Sequence, residues 1–503
     1  MASDILLQPP TLTNDHVSSE TYQMAMFLLD QYRDTVLLCR YAIPPRLASA
    51  GSRTELDNVV KVAVVDTIMK HPMLQVGMIN PTSKTPSWIQ LPSLDLTQHI
   101  KWLYLDDHAD CEQTVQEIFR FQLDDRFQDV SAKQPGWKIT IIRQGDAPIM
   151  EVLLTWNHPQ FDGAGAKIWH EDFLEMLNAA ENGALERDGL NDDILTLPEK
   201  PPILPAPIES LRSLPLDVKH LTKSVWQELR PQFLNHDKSY ATWCPIRTSP
   251  YKTQFRAFFI DNALLTAILA LCRKNQTTIT ALLNGLSLIA FALRLDSTSA
   301  PAFQSSTIVD HRRNLPPAPP DAPWGSCNRA ISNYVTQVLH KYNAELVTRI
   351  RSKLPSETSE EIDLNPELQQ ELWTVSAQNR QEIVRKLEAG LKNDLVGLFK
   401  YVTDWQKTMS DMAKRTRQFT WLVTNIGVLN GGTSDTQKWA IERAQFGLSA
   451  EIPAAAIEIS PVSVADKGMC VSADWADNAV DVEFGERIMG DLERWIGQLG
   501  RES

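Results

Sequence analysis

Residues 137–163 read WKITIIRQGDAPIMEVLLTWNHPQFDG, which is two strand patterns followed by a polar loop. The runs 137–143 and 149–156 are rich in β-branched and other apolar residues, and the segment between them contains the Gly and Pro that are typical of a turn. We therefore predict an antiparallel hairpin. Because the second run is apolar at consecutive positions, we expect it to be a buried central strand.

The loop that follows, 157–163, is the main candidate for a reactive site, since strand-to-helix loops present side chains on a rigid scaffold. Histidine has an unperturbed pKa close to neutrality, so His158 suits a base that must later return its proton. Pro159 resists helix formation, so we expect Asp162 to turn away from His158 and orient the loop, with Gly163 permitting a tight reversal. The alternative is a hydrogen-bonded loop without a catalytic role.

The rest of the chain alternates helices with strands. Upstream, we predict a helix that Thr54 caps and that ends at His71-Pro72. Downstream, 164–182 is predicted to be a helix that Gly183 ends, with His170 on its surface. The other predicted elements are a strand at 255–260, helices at 263–273 and 278–295, a strand at 303–309, a helix that begins at Asn365-Pro366, and strands at 419–423 and 455–459. This mixture predicts an α/β fold.

A proline-rich segment divides the chain. Six prolines lie in 195–215, and because proline fixes φ and removes a backbone donor, this segment should run as an extended connector. We predict an N-terminal lobe at 1–195 that carries the histidine loop, a proline-rich crossover at 196–240, and a C-terminal lobe at 241–503.

Composition excludes several classes of function. The 503 residues carry a formal net charge of −13, which disfavours a nucleic-acid binder or a polybasic membrane anchor. The longest apolar stretch, 279–295, is interrupted by polar residues and is predicted to be a buried helix rather than a membrane span. No secretory pattern is visible at the N-terminus, which favours the cytoplasm. The six cysteines include no CxxC pair, so we expect no metal site.

The segment His158-Pro159-Gln160-Phe161-Asp162-Gly163 resembles the HxxxDG motif of the chloramphenicol-acetyltransferase-like superfamily. That superfamily includes plant BAHD acyltransferases, condensation domains of peptide synthetases, and fungal alcohol or trichothecene O-acetyltransferases. The resemblance extends over 135–177, over the helix before His71-Pro72 and over the helix at 278–295. Residues 309–317 (VDHRRNLPP) are similar to the VDxRxxLxPP stretch of BAHD-type enzymes, and 421–427 (WLVTNIG) to the SNxG segment of fungal alcohol acetyltransferases.

Two departures from the motifs of related enzymes indicate which branch of the superfamily the chain most resembles. The BAHD motif DFGWG is not found, and 472–477 (SADWAD) is no substitute for it. Asn157 stands where condensation domains have the first of two histidines. The chain is therefore most similar to the fungal O-acetyltransferases. The resemblance implies two chloramphenicol-acetyltransferase-like lobes, each a mixed sheet with helices, and an active-site tunnel at their interface.

The resemblance also assigns roles to single residues. It implies that His158 is the general base for an acceptor hydroxyl and that the resulting imidazolium protonates the departing thiolate. It implies that Asp162 pairs with Arg312 from the second lobe and so fixes the loop; the alternative for Arg312 is a solvated side chain. Thr424 and Asn425 match the segment beside the tunnel and could stabilise an oxyanion, or could simply form a turn.

An anionic co-substrate needs a local basic patch on this acidic chain. The run 414–417 (KRTR) supplies Lys414, Arg415 and Arg417 as candidate contacts for the phosphates of CoA. The alternative is that this run is a solvated face, as charge runs usually are.

The function that the resemblance implies is that of a monomeric, acyl-CoA-dependent O-acyltransferase of fungal secondary metabolism. Its expected co-substrate is acetyl-CoA, its acceptor is a hydroxyl of a small hydrophobic metabolite, and no metal, nucleic acid or stable membrane insertion is expected. Two alternatives stay open. One is a carrier-protein-dependent condensation-type domain that forms an ester or amide, and the other is a non-catalytic binding member of the family.

Overall fold

A computed structural model describes residues 6–7, 19–84, 86–106, 108–127, 134–180, 186–200, 202–211, 214–217, 237–355, 361–399, 401–432, 435 and 437–502. The helices are α1 Ser19–Leu28, α2 Pro45–Ala48, α3 Arg53–Lys70, α4 Cys111–Asp124, α5 Gly163–Ala180, α6 Ile208–Leu211, α7 Asn262–Lys274, α8 Ile279–Arg294, α9 Ala344–Arg351, α10 Pro366–Ala389, α11 Val396–Phe399, α12 Trp405–Met412 and α13 Val482–Arg501. The strands are β1 Leu6–Leu7, β2 Asp34–Ala42, β3 Val76–Ile79, β4 Ser87–Gln90, β5 Ser93–Asp95, β6 Ile100–Leu105, β7 Trp137–Gln144, β8 Ile149–Asn157, β9 Leu190–Asn191, β10 Ile194–Thr196, β11 Thr253–Asp261, β12 Phe303–Asp310, β13 Val335–Tyr342, β14 Phe419–Val423, β15 Val428–Leu429, β16 Ala440–Leu448, β17 Ala455–Val464 and β18 Gly468–Ala476.

The N-terminal lobe is built on a five-stranded sheet with the order β16-β2-β8-β7-β6. The predicted hairpin is confirmed, because β7 and β8 pair antiparallel with Trp137 opposite Trp156. Strand β8 lies in the middle of the sheet and is buried along almost its whole length, as its continuous apolar run predicts. Helices α3 and α5 pack together on one face, and α4 covers the other.

The C-terminal lobe is built on a larger sheet with the order β11-β18-β17-β14-β12-β13, to which β15 adds beside β17. This sheet is mixed, since β14 runs parallel to both β12 and β17 while the other main pairs are antiparallel. Helix α8 is buried along most of its length and packs against α10 and α13. Thr278 caps it by accepting a hydrogen bond from the amide of Ala281 at 3.3 Å.

One strand crosses the predicted lobe boundary. Strand β16 belongs to the C-terminal part of the chain, yet it pairs antiparallel with β2 and forms the edge of the N-terminal sheet. The largest hydrophobic cluster accordingly contains residues from both halves, among them Leu154, Leu448 and Val462. The division into 1–195 and 241–503 stays a prediction, and the two lobes it names share a strand and a core.

The proline-rich crossover is described at 196–200, 202–211, 214–217 and 237–240, and its other residues lie outside the described part. The described part contains the short helix α6 and a turn at 237–240, in which the amide of Tyr240 donates to the carbonyl of Asp237, and 202–207 and 214–217 lie outside helices and strands. The backbone carbonyl of Ala206 accepts a hydrogen bond from the hydroxyl of Tyr334 at 2.8 Å, which ties the crossover to the C-terminal lobe. Gly183, the predicted end of the helix after the histidine loop, lies outside the described residues.

Two local predictions are wrong. Helix α3 begins at Arg53, with Ser52 before it, so Thr54 lies inside the helix and does not cap it. His170 is completely buried rather than at the surface. Both of its ring nitrogens have partners inside the protein, since Nδ1 lies 2.9 Å from the hydroxyl of Tyr41 and Nε2 lies 3.1 Å from the carbonyl oxygen of Leu37. Among the described helices, none is by itself long and apolar enough to span a membrane, and the pair α7 and α8, which is bent by 89°, meets that criterion only jointly.

Candidate active site

His158 is the first residue after β8, where the sheet ends and the loop toward α5 begins. The loop is held by side chains on either side of it. The indole nitrogen of Trp156 donates to the carbonyl of Phe161 at 2.8 Å, and the amide of Gln160 donates to the carbonyl of Met73. His158 is partly exposed as a residue, and its imidazole lies against the ring of Tyr32, with ring centroids 5.7 Å apart.

The surroundings of His158 favour a neutral imidazole. Burial lowers its pKa below the usual 6.5, and the carboxylate of Asp162, the His158 carbonyl and the Asn333 side chain only partly oppose that effect. Nδ1 is buried and has no hydrogen-bond partner among the described residues, which leaves Nε2 as the nitrogen available to a substrate. A neutral nitrogen of this kind can accept a proton at neutral pH.

Asn333 fixes the backbone of the histidine. Its Nδ2 donates to the carbonyl of His158 at 3.0 Å and to that of Pro159 at 3.1 Å. Asn333 is buried and precedes β13, so it reaches the N-terminal loop from the C-terminal half. The sequence analysis did not find Asn333 or Tyr32, because neither stands in a motif and both approach His158 only through the tertiary fold.

Asp162 and Arg312 form a buried ion pair with two hydrogen bonds, from Nη1 to Oδ2 at 2.9 Å and from Nη2 to Oδ1 at 2.8 Å. The same carboxylate accepts from the amides of Gly165 and Tyr334 at 2.8 and 2.9 Å. Burial acts to lower the pKa of Arg312, but the carboxylates of Asp162 and Asp310 raise it overall. With four donors bound to it, Asp162 is suited to holding the loop rather than to moving a proton.

Gly163 is required for close approach rather than for a reversal of the chain. It is the first residue of α5, and a Cβ at this position would lie 2.7 Å from Cγ2 of Ile426 and 3.1 Å from Cζ of Phe446. The expected tight reversal is therefore not what the glycine provides. The contact instead places the segment 424–427 of the C-terminal lobe against the start of α5.

Thr424 and Asn425 therefore lie close to the histidine loop, and they differ in what they offer. Asn425 Nδ2 donates to Oγ1 of Thr280 at 2.9 Å, and its Oδ1 accepts from the amide of Gly427 at 2.8 Å. Asn425 thus forms the simple turn that was the alternative to a role in stabilising an oxyanion. The amide of Thr424 donates to the carbonyl of Ile459 at 2.9 Å and Thr424 is buried, so only its hydroxyl stays a candidate donor to an oxyanion.

The three candidate contacts for CoA are not equivalent. Arg417 is only 2% exposed, and its guanidinium donates to the carbonyls of Cys244, Ala454 and Ala455, so it does not fit the predicted role and instead holds backbone together. Lys414 is exposed, with Nζ 3.0 Å from Asp411, and Arg415 is partly exposed. Lys414 and Arg415 remain candidates.

Two mixed α/β lobes, a histidine loop at the end of a central strand, and a buried Asp–Arg pair between the halves define the chloramphenicol-acetyltransferase-like class. The fold is shared along almost the whole chain with the trichothecene 15-O-acetyltransferase TRI3 of Fusarium sporotrichioides, with 13% identity, a TM-score of 0.68 and 99% of each chain covered. It is also similar to the first condensation domain of the CDA synthetase, with 12% identity, a TM-score of 0.56, and 97% and 96% of the two chains covered.

The chain belongs to the alcohol acetyltransferase family, whose sequence profile matches residues 95–490. A relative in Fusarium pseudograminearum, named "probable alcohol acetyltransferase FCK4", is 24% identical, and the match covers 98% of this chain and 96% of the relative. Another in Aspergillus fumigatus, named "probable alcohol acetyltransferase crmB", is 21% identical over 88% of this chain and 90% of that protein.

Proposed function

We propose that this protein transfers an acetyl group from acetyl-CoA to a hydroxyl of a small metabolite, with His158 as the general base. The observation that carries the proposal is the environment of His158. Burial favours its neutral form, its Nδ1 has no hydrogen-bond partner among the described residues, and Asn333 holds its backbone carbonyl at the end of β8. Membership of the alcohol acetyltransferase family supports the reaction type.

The reaction needs only groups that the histidine loop and its neighbours offer. Nε2 of His158 accepts the proton of the acceptor hydroxyl as the oxygen forms a bond to the thioester carbonyl carbon. The tetrahedral intermediate carries a negative oxygen, for which the hydroxyl of Thr424 is our candidate hydrogen-bond donor. When the intermediate collapses, the carbon–sulfur bond breaks and the imidazolium returns its proton to the thiolate, which releases CoA and the acetyl ester.

Acetyl-CoA and a panel of alcohols, with free thiol as the readout, test this proposal directly. His158→Ala should lower turnover by about 10²- to 10⁴-fold, the range that a positioned proton-transfer group contributes. His108→Ala is the matched control, because His108 is exposed and lies outside the site. Full acetyl transfer by the His158 variant would rule out the proposed role.

The second candidate function is transfer from a carrier protein, which the structural similarity to condensation domains favours. In that reaction the acyl group arrives on a phosphopantetheine arm and no free CoA is released. Product formation from a carrier-bound acyl group, without turnover of acetyl-CoA, would favour this candidate. Tight binding of a metabolite without turnover from either donor would favour a non-catalytic member. We further propose that the protein is a cytoplasmic monomer of fungal secondary metabolism, which size-exclusion chromatography tests for the oligomeric state.

A further inference from the structure

The inner face of the C-terminal sheet carries a row of polar residues next to the histidine site. Along β17 and β18 successive side chains alternate between the two faces of the sheet. Ile457, Ile459 and Val471 belong to the hydrophobic core of the C-terminal lobe. Glu458, Ser460, Ser472 and Asp474 therefore point to the opposite face, where the hydroxyl of Ser472 donates to the carbonyl of Phe446 on β16.

Two acidic residues in this row face each other without a partner. Glu458 and Asp474 are directly opposed in the pairing of β17 with β18, and they are 2% and 0% exposed. None of their four carboxylate oxygens has a hydrogen-bond partner among the described residues, and the fully buried hydroxyl of Ser460 has none either. Buried polar groups without partners are costly, so this cluster points to a ligand that donates hydrogen bonds.

The acidic pair lies on the Tyr32 side of His158. Burial raises the pKa of Tyr32, and the nearby carboxyl groups of Glu451, Glu458 and Asp474 raise it further. The Tyr32 ring is in turn the ring against which the imidazole of His158 lies. Tyr32 is therefore a neighbour of both His158 and the acidic pair.

Burial disfavours the ionised form of both carboxyls in the pair. Burial raises the pKa of Glu458, and the neighbouring carboxyl groups of Asp474 and Glu451 raise it further, because two adjacent carboxyls do not both ionise readily. Burial likewise raises the pKa of Asp474, an effect that the nearby backbone amide of Leu448 partly opposes. Arg417 lowers the pKa of Glu458 from a distance, but its hydrogen bonds go to backbone carbonyls.

The free acceptor atoms define the ligand, because a bound cation favours the ionised form of a buried carboxyl. Within the described ranges, no three His, Cys, Asp or Glu side chains are grouped as a metal ion requires. A primary ammonium has one positive charge, three donors and no acceptor. We propose that Glu458, Asp474 and Ser460 bind the ammonium group of the acceptor, which on the basis of the proposed function makes the acceptor an amino alcohol with its hydroxyl at His158.

The test compares linear amino alcohols with plain alkanols of matched chain lengths. Each compound is assayed with acetyl-CoA for kcat/KM, and each is titrated into the protein alone by calorimetry. For at least one chain length the wild type should prefer the amino alcohol by about tenfold or more, the effect expected for a hydrogen bond to a charged group. The preference should fall to about one in Glu458→Gln and in Asp474→Asn, which preserve side-chain size.

Glu151→Gln is the matched control, since Glu151 is a buried carboxyl on β8 that is already bound by Arg40. It should keep the preference, and a thermal melt of each variant shows whether the protein is folded. A wild type that never prefers the amino alcohol, or a preference that survives both substitutions, would overturn the inference. If no alcohol is acetylated but calorimetric binding of the amine is lost in the two variants, the proposed function fails and the ammonium site stands.

Discussion

Arg312 of the C-terminal half and Asp162 of the N-terminal half are joined by two hydrogen bonds in a fully enclosed ion pair. Arg312 also donates to the carbonyls of Ala330 and Ser332, so a single guanidinium connects the histidine loop to the segment before β13. The pair therefore couples the position of the loop to the fit between the two lobes.

Removal of the guanidinium should destabilise the protein strongly. Arg312→Ala leaves the Asp162 carboxylate buried without its counter-charge, and breaking such a pair costs about 3–5 kcal/mol. Urea unfolding measures the change. Arg487→Ala, which breaks an exposed pair with Glu483, should cost no more than about 1 kcal/mol. Equal losses in the two variants would contradict the structural role given to Arg312.

The pH dependence of activity should report a neutral imidazole. Burial lowers the pKa of His158 below 6.5, and the base must be unprotonated to act. We therefore expect kcat/KM to be constant around neutrality and to fall on the acidic side only below pH 6.5. A pH–rate profile with a saturating acyl donor measures this limb. A limb centred above pH 7, about half a unit over the usual value for histidine, would show that the imidazole is stabilised in its charged form.

Asn333→Ala tests whether Asn333 positions His158. Loss of its two hydrogen bonds frees the carbonyls of His158 and Pro159, so kcat should fall by roughly tenfold while the KM for acetyl-CoA changes little. Asn333 also raises the pKa of His158, so the acidic limb should move to still lower pH in the variant. A purely structural role would lower stability without moving that limb. Asn178→Ala, which removes a hydrogen bond to the Trp439 carbonyl, serves as the control.

Gly163→Ala tests the close approach of the two lobes. The added methyl would lie 2.7 Å from Cγ2 of Ile426, a contact that should cost about 1–3 kcal/mol and lower activity. Ile426→Ala in the same chain removes the opposing atom and should restore part of both losses. Gly490→Ala on α13 meets nothing closer than 3.8 Å and should be neutral or slightly stabilising. Thermal melts and thiol release measure the series.

Much of the fold could be predicted because its signals are local. The hairpin of β7 and β8 follows from alternating and continuous apolar runs. Helix α10 begins at Pro366, and Asn365 caps it by accepting a hydrogen bond from the amide of Leu368 at 2.9 Å. The resemblance to the chloramphenicol-acetyltransferase-like superfamily predicted that Asp162 pairs with Arg312, and the structure brings these two residues together. No local sequence pattern indicates that β16, which belongs to the C-terminal part of the chain, pairs with β2 in the N-terminal sheet.

The remaining site residues could not be predicted because their roles depend on contacts between distant segments. Tyr32 and Asn333 reach His158 from other elements, and Glu458 and Asp474 meet only when β17 pairs with β18. Arg417 was misassigned for a related reason. It stands in a charged run but lies two residues before β14, where its guanidinium is buried against backbone carbonyls.

Arg417 and its two neighbours should therefore respond differently to neutralisation. Lys414→Ala with Arg415→Ala should raise the KM for acetyl-CoA severalfold and reduce its dependence on salt, because an exposed and a partly exposed cation attract the CoA phosphates through a screened field. Arg417→Ala should instead lower the melting temperature, since three backbone carbonyls lose their donor. Steady-state kinetics at two salt concentrations, with thermal melts of both variants, separate these effects. An unchanged KM in the double variant would remove Lys414 and Arg415 as the CoA contact.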